Sequence, residues 1–194
     1  MQKLTLVLAL TVVAAVPARA QFVVPSFYTA TPGGVGGFTY FDDTGSQLTD
    51  GVYGVDDYTA DLGQGNAYEW VGWTDPNPTI TFDFPSSITV QSVLIDFNRN
   101  EGAGIYLPAN VTIGGTVFNL NGDEIDFGTR GTLVYNGSWT GSSLDVDMSA
   151  AGPYTFVDEV KFATTTVPEP SVAAALLGAA ALGWATWRRR GGQA

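Results

Sequence analysis

The chain has 194 residues, a formal net charge of −11, and neither cysteine nor histidine. The missing histidine excludes Ser-His-Asp and Cys-His catalysis and histidine-ligated zinc together, while the missing cysteine leaves packing, with or without a hard metal ion, to hold the fold. So acidic a chain, taken as a whole, repels nucleic acid and anionic membrane surfaces.

The first residues read as an export leader. Lys3 gives a positive start, residues 4–16 are apolar, Pro17 ends the run, and Ala18-Arg19-Ala20 is a small-residue cleavage site that makes Gln21 the first mature residue. With residues 1–20 removed, residues 21–166 form one domain of ordinary size, large enough for its own core. Setting aside the leader's two basic residues, and the tail's three arginines against one glutamate, leaves −15 on that domain. Only Arg99, Arg130 and Lys161 are basic within it.

No amphipathic helical period is visible between Gln21 and Thr166; short segments of period two are. Ile80, Phe82 and Phe84 alternate with Thr79, Thr81 and Asp83, and Val93, Ile95 and Phe97 alternate with Leu94 and Asp96. Val111 and Ile113 lead into Gly114-Gly115, from which Val117 begins a return strand. Leu144, Val146 and Met148 alternate with Asp145 and Asp147, and Val160 and Phe162 flank Lys161. Many short strands joined by turn residues predict an all-β, antiparallel sandwich. Thr164-Thr165-Thr166 reads as a short linker to the tail. Paired carboxylates such as Asp42-Asp43 and Asp123-Glu124 sit in acidic turns, a poor basis for glycosidase chemistry.

The tail, residues 167–194, says most. Val167-Pro168-Glu169-Pro170 precedes 17 uncharged residues, Ser171 to Trp187, and then Arg188-Arg189-Arg190. As a helix the run would rise about 26 Å, at the short end of a transmembrane span. Trp184 and Trp187 suit an interfacial belt, and the arginines mark the cytoplasmic side, so the rest of the chain lies outside.

Pro168-Glu169-Pro170, the apolar run and the terminal arginines together resemble a PEP-CTERM sorting signal. The resemblance implies export across the inner membrane of a Gram-negative-type bacterium, anchoring through the tail, and recognition by an exosortase, followed by a place at the cell surface or in the extracellular matrix. Such tails belong to bacteria that make extracellular polysaccharide, so a matrix or biofilm role is expected, with polysaccharide as a partner. A carbohydrate-binding adhesin and a small acidic hydrolase are the alternatives, and no catalytic motif supports an enzyme.

A second resemblance spans about Leu48 to Phe162. Leu48-Thr49-Asp50-Gly51, Trp70-Val71-Gly72-Trp73, Ile80 to Phe84, Val93 to Phe97, Ile105-Tyr106-Leu107-Pro108 with Val111-Thr112-Ile113, and Asp158 to Phe162 follow one another as in the discoidin-like, or coagulation-factor type C, galactose-binding jelly roll. The interval of about twenty residues from Gly51 to Trp70 is longer than that family's pattern. The resemblance implies a structural Ca²⁺ held by Asp50 and Glu159, with Asp56 and Asp57 as further ligands if the long loop folds back. The alternative is an Asx turn at Asp50 and a solvated Glu159. It also directs attention to the loops at one end for ligand binding, where Asn98, Arg99 and Asn100 would meet sugar hydroxyls while Tyr106 or Trp139 stacks on the ring. Arg99 pairing with Glu101 or Asp96 is the bland alternative, and Trp70 and Trp73 are expected in the core.

Overall fold

In the computed structural model the described residues are 20–33, 40–60, 63 and 65–165. The leader up to Arg19, the sorting residues 167–170, the apolar run 171–187 and the arginines 188–190 lie outside them. Among the described residues no helix is long and apolar enough to cross a membrane.

The described residues form eight antiparallel strands: β1 Phe22–Val23, β2 Phe27–Ala30, β3 Val71–Trp73, β4 Thr79–Arg99, β5 Pro108–Ile113, β6 Thr116–Asn119, β7 Thr129–Ala150 and β8 Thr155–Ala163. A 3₁₀ turn, Glu101–Ala103, follows β4. The strand order is β1-β8-β4-β7-β5-β6, with β2 also on β4 and β3 also on β8.

The sandwich arises because its two longest strands bend. Register between β4 and β7 shifts at Asp83/Ile88 and again at Val90/Ser92. The first half of β4 therefore pairs with β2, and its second half pairs with β8. One continuous sheet thus folds over on itself, with the 83–92 and 136–143 segments forming the arch. Phe82 and Phe84 on one side of the fold meet Phe162 on the other, with ring centroids 4.7 and 5.2 Å apart. Bends of this kind are how strands change layer without ending.

Alternation predicted the core well. Ile80, Phe82, Phe84, Val93, Ile95, Phe97, Val111, Ile113, Leu144, Val146, Met148, Val160 and Phe162 are all buried in one cluster. Trp70 and Trp73 are buried too, their indole N–H groups donating to Val55 O (3.2 Å) and Thr31 O (2.7 Å). The Gly114-Gly115 turn joins β5 to β6 as a hairpin.

Two features differ from expectation. β7 extends far back from the Leu144–Met148 segment to Thr129: Gly131 pairs with Phe97 and Asn136 with Ser92, while Gly137 and Ser138 fall at the register shift between Val90 and Ser92. Thr164 and Thr165 are not a free linker: Gln21 O accepts from Thr164 N at 2.9 Å, and Thr165 O accepts from Ser92 Oγ at 3.3 Å.

Candidate functional site

The predicted calcium pair, Asp50 and Glu159, is brought together. Asp50 starts a tight turn in which its Oδ1 accepts from Val52 N at 2.8 Å. Gly51, with φ +86°, takes a conformation that suits glycine, and its N–H donates to Glu159 Oε2 at 3.0 Å. Glu159 comes from β8 and is only 3% exposed. Burial pushes its carboxyl up to about 7, assisted by the charges of Asp50 and Glu69 and opposed by the Gly51 N–H and Lys161. Burial also raises Asp50.

Asp50 Oδ2 and Gln47 Oε1 are buried without a hydrogen-bond partner. Such orphaned oxygens need a donor or a cation. Among the described residues no three acidic side chains converge as a metal group, so an ion here would need amide and backbone oxygens beside the two carboxylates, which Ca²⁺ accepts. A cavity of about 500 Å³, lined by Phe22, Val24, Tyr53, Leu94 and Lys161 among others, leads to Asp50 and Glu159. The donor chemistry fits a hard cation. Asp56 and Asp57 are engaged elsewhere: Asp56 Oδ1 accepts from Arg130 N at 2.9 Å, and Asp57 Oδ1 bonds Thr59.

The predicted sugar-contacting residues separate. Arg99 pairs with Glu101, Nε and Nη2 lying 2.9 and 2.7 Å from Oε1, and its Nη1 donates to Ile125 O at 2.7 Å. Asn98 is fully buried, its Nδ2 donating to Asp56 O at 3.0 Å, so it faces inward rather than toward a ligand. Asn100 closes the 3₁₀ turn, its carbonyl accepting from Ala103 N and Ile105 N. Tyr106 packs its ring against Gly152. Trp139 is not on this loop at all: it pairs with Val90 in the arch, is 8% exposed, and joins the core. Nine residues of β4 separate Val90 from Arg99, roughly 30 Å of strand.

The aromatic that does accompany Arg99 is Phe127. It is 62% exposed, and a Cβ added to Gly102 would lie 3.7 Å from its ring. The backbone around it is pinned on both sides, by the Arg99 bond to Ile125 O and by Gly128 N donating to Arg99 O at 2.8 Å. The sequence signal was a large apolar residue between Asp126 and Gly128, inside a stretch otherwise readable as an acidic turn.

A third cluster lies under the long loop. Asp96 from β4 and Asp158 from β8 are 1% and 0% exposed. Asp96 accepts from Thr132 Oγ1 (2.6 Å) and Arg130 Nη1 (2.7 Å), and Asp158 accepts from Gly54 N. A Cβ at Gly54 would run into the Trp70 indole, which is why the loop backbone can close here. Arg130 and Lys161 both face the Tyr53 ring, at 4.8 and 4.2 Å. Asp158 is pushed up to about 9, chiefly by burial and then by Asp96, with the Gly54 N–H and Arg130 acting the other way. Burial beside a second carboxylate thus favours the protonated form of Asp158. Sealed from solvent, neither can reach a glycosidic bond.

Comparison with known proteins assigns the tail. No curated protein matches the chain. Among solved structures, the carbohydrate-binding module of AlyQ, in complex with 4,5-unsaturated mannuronic acid, is similar at 13% identity and TM-score 0.46, over 73% of this chain and 97% of that one. A structure from the Streptococcus pneumoniae β-galactosidase BgaA is similar at 10% identity and TM-score 0.49, over 74% and 98%. The lectin-binding domain of Lectinolysin, complexed with Lewis b, is similar at 12% identity and TM-score 0.49, over 77% and 100%. Residues 166–190 match the family profile described as the PEP-CTERM protein-sorting motif. The chain therefore ends in a PEP-CTERM sorting motif, which implies export and membrane anchoring before sorting.

Proposed function

We propose that this is a non-catalytic, exported surface protein, processed by an exosortase, whose sandwich binds extracellular polysaccharide at the Arg99–Phe127 rim. The observation that carries the binding site is Phe127, exposed yet held on a pinned backbone beside the Arg99–Glu101 pair. A rigid aromatic face covers the C–H side of a sugar at little entropic cost, and flanking charged groups make strong hydrogen bonds to hydroxyls. The bound polymer in this reading is the exopolysaccharide of a biofilm matrix.

The test is binding of polysaccharide purified from the native host. Phe127→Ala should weaken it by roughly two- to twelvefold, since an aromatic contact of this kind is worth about 0.5–1.5 kcal/mol. The melting temperature should not change, because the ring supports nothing beneath it. Undiminished binding by the Ala variant would remove this rim from consideration.

Calcium belongs to the same proposal as a structural element. Asp50 and Glu159 would hold it, and the ion would supply positive charge to two carboxyls that burial raises. A ligand bound only by the folded state stabilises it by mass action, by about 2.7 kcal/mol at a hundredfold excess over Kd. Excess chelator should therefore lower the melting temperature of calcium-loaded protein, and Glu159→Gln should abolish that response. An identical melting curve with and without chelator would refute the site.

A further inference from the structure

We propose that the arched end of the sandwich is a membrane-docking face, seated on the lipid surface while the sorting tail is still attached. The proposal rests on the anchoring that the sorting motif implies.

The chain enters and leaves the fold at this end. Gln21 O accepts from both Thr164 N and Thr164 Oγ1, and Ser92 Oγ donates to Thr165 O, so the folded body continues to the residue before the motif at 166–190. Five residues, 166–170, separate Thr165 from the apolar run that begins at Ser171. Fully extended they reach about 18 Å. The headgroup layer on one side of a bilayer already takes roughly 5–8 Å of that. This end of the domain is thus held close to the lipid surface.

Its chemistry suits that position. The end is built from residues 20–27, the two arch segments 83–92 and 136–143, and residues 163–165. Of the 18 acidic and three basic residues between 21 and 166, these segments contain one, Asp83. The next acidic residue along β7, Asp145, lies one ladder position further in from Leu144 and is bonded to Thr81 Oγ1 at 2.7 Å. Three large apolar side chains at this end face solvent: Phe22 at 48% exposure, Val24 at 70% and Phe27 at 57%. An acidic domain that must stand against anionic headgroups gains by keeping that end nearly free of charge, the nearest charges being Asp83 and, along the cavity that Phe22 and Val24 also line, Lys161, Asp50 and Glu159. Aromatic and aliphatic residues there can enter the headgroup boundary, as on proteins that lie on membranes. Docked this way, the domain turns the Arg99–Phe127 rim outward, since Arg99 closes the opposite end of β4.

The absence of cysteine makes the test clean, because one introduced thiol is the sole labelling site. Full-length Ser86→Cys and Asp123→Cys, each carrying an environment-sensitive fluorophore, would be reconstituted into vesicles of phosphatidylethanolamine and phosphatidylglycerol. Both positions are exposed, the first in the arch and the second far from it. The label at 86 should be quenched by aqueous iodide about threefold less than the label at 123 if the face is seated in the headgroup layer. Adding Phe22→Ser, Val24→Ser and Phe27→Ser should erase the difference while co-sedimentation with vesicles persists. Val24→Glu, outside any strand, should reduce it without touching the ladder. Equal quenching at 86 and 123 in co-sedimenting protein overturns the proposal and leaves anchoring intact. Protection that grows with protein density at fixed lipid means that a second copy covers the face, and also overturns it. Failure to co-sediment removes the anchoring itself, and the docking with it.

Discussion

Replacing Arg130 with Met is expected to cost the domain about 3 kcal/mol, the lower end of what breaking a buried ion pair costs. Asp96 has no exposed side-chain surface, and Arg130 Nη1 lies 2.7 Å from its Oδ2. Removing the guanidinium would leave two adjacent buried carboxyls with Thr132 and Gly54 as their remaining donors. Met keeps most of the aliphatic stem, so lost packing contributes little. The lower end of the range applies because the Arg130 side chain is 29% exposed and partly screened. For a domain of this size the loss corresponds to a fall in melting temperature of roughly 6–12 °C. A melting temperature within a degree or two of wild type would mean that the pair is not load-carrying for the fold.

The same cluster sets the pH dependence, best measured in chelator so that no ion at Asp50 and Glu159 intervenes. Asp158 is raised from an ordinary 3.8 to about 9, so the folded state retains a proton that the unfolded state has released. Its contribution to stability is therefore whole below about pH 4 and is lost as pH rises toward 9. Glu159, raised to about 7, acts in the same direction over a narrower window. Melting temperature should fall from acid to alkaline pH. Asp158→Asn, neutral throughout and able to donate to Asp96, should flatten most of that fall and be more stable than wild type near pH 8. A slope unchanged in the Asn variant would place the titration elsewhere.

The strands were legible where one face meets the core and the other meets water, as with Ile80-Thr81-Phe82-Asp83-Phe84. They were less so where both faces are covered. Asp96 alternates with Val93, Ile95 and Phe97 and so reads as an outward residue, yet the Gly51–Trp70 interval folds over that face and buries it. The unusual length of that interval was the available clue. The first half of β7 was hidden by Gly131 and Asn136-Gly137-Ser138, because local turn propensity gives way when the long β4 partner enforces extension. Trp139, beside those residues, looked like part of an exposed loop, and only the register with Val90 places it in the core. Asp50 and Glu159, 109 positions apart, were paired only through the order of motifs in the resemblance, since nothing local to either residue encodes the other.

Changing Pro168 and Glu169 together to Ala is expected to block maturation while leaving membrane insertion intact. The two changes lie inside the matched motif, beyond Thr165, the last residue described, and before the apolar run from Ser171. Proline fixes φ and disfavours helix at the residue before it, so the sequence Val167-Pro168-Glu169-Pro170 favours an extended chain over a helix. An extended strand with one carboxylate is a suitable occupant for a membrane enzyme's cleft, where Glu169 can meet a basic pocket. Alanines would remove one of the two prolines and the carboxylate, and with them the shape and charge that a cleft could read, while Pro170 still separates the segment from the apolar run. In the native host the variant should accumulate as a longer, membrane-bound form, visible on immunoblots and by mass spectrometry of its C-terminus. Changing Arg188, Arg189 and Arg190 to Ser should act differently, weakening orientation and retention of the span rather than cleavage as such. If the Pro168/Glu169 variant reaches the same mature size and place as wild type, the tail serves this protein as an anchor alone.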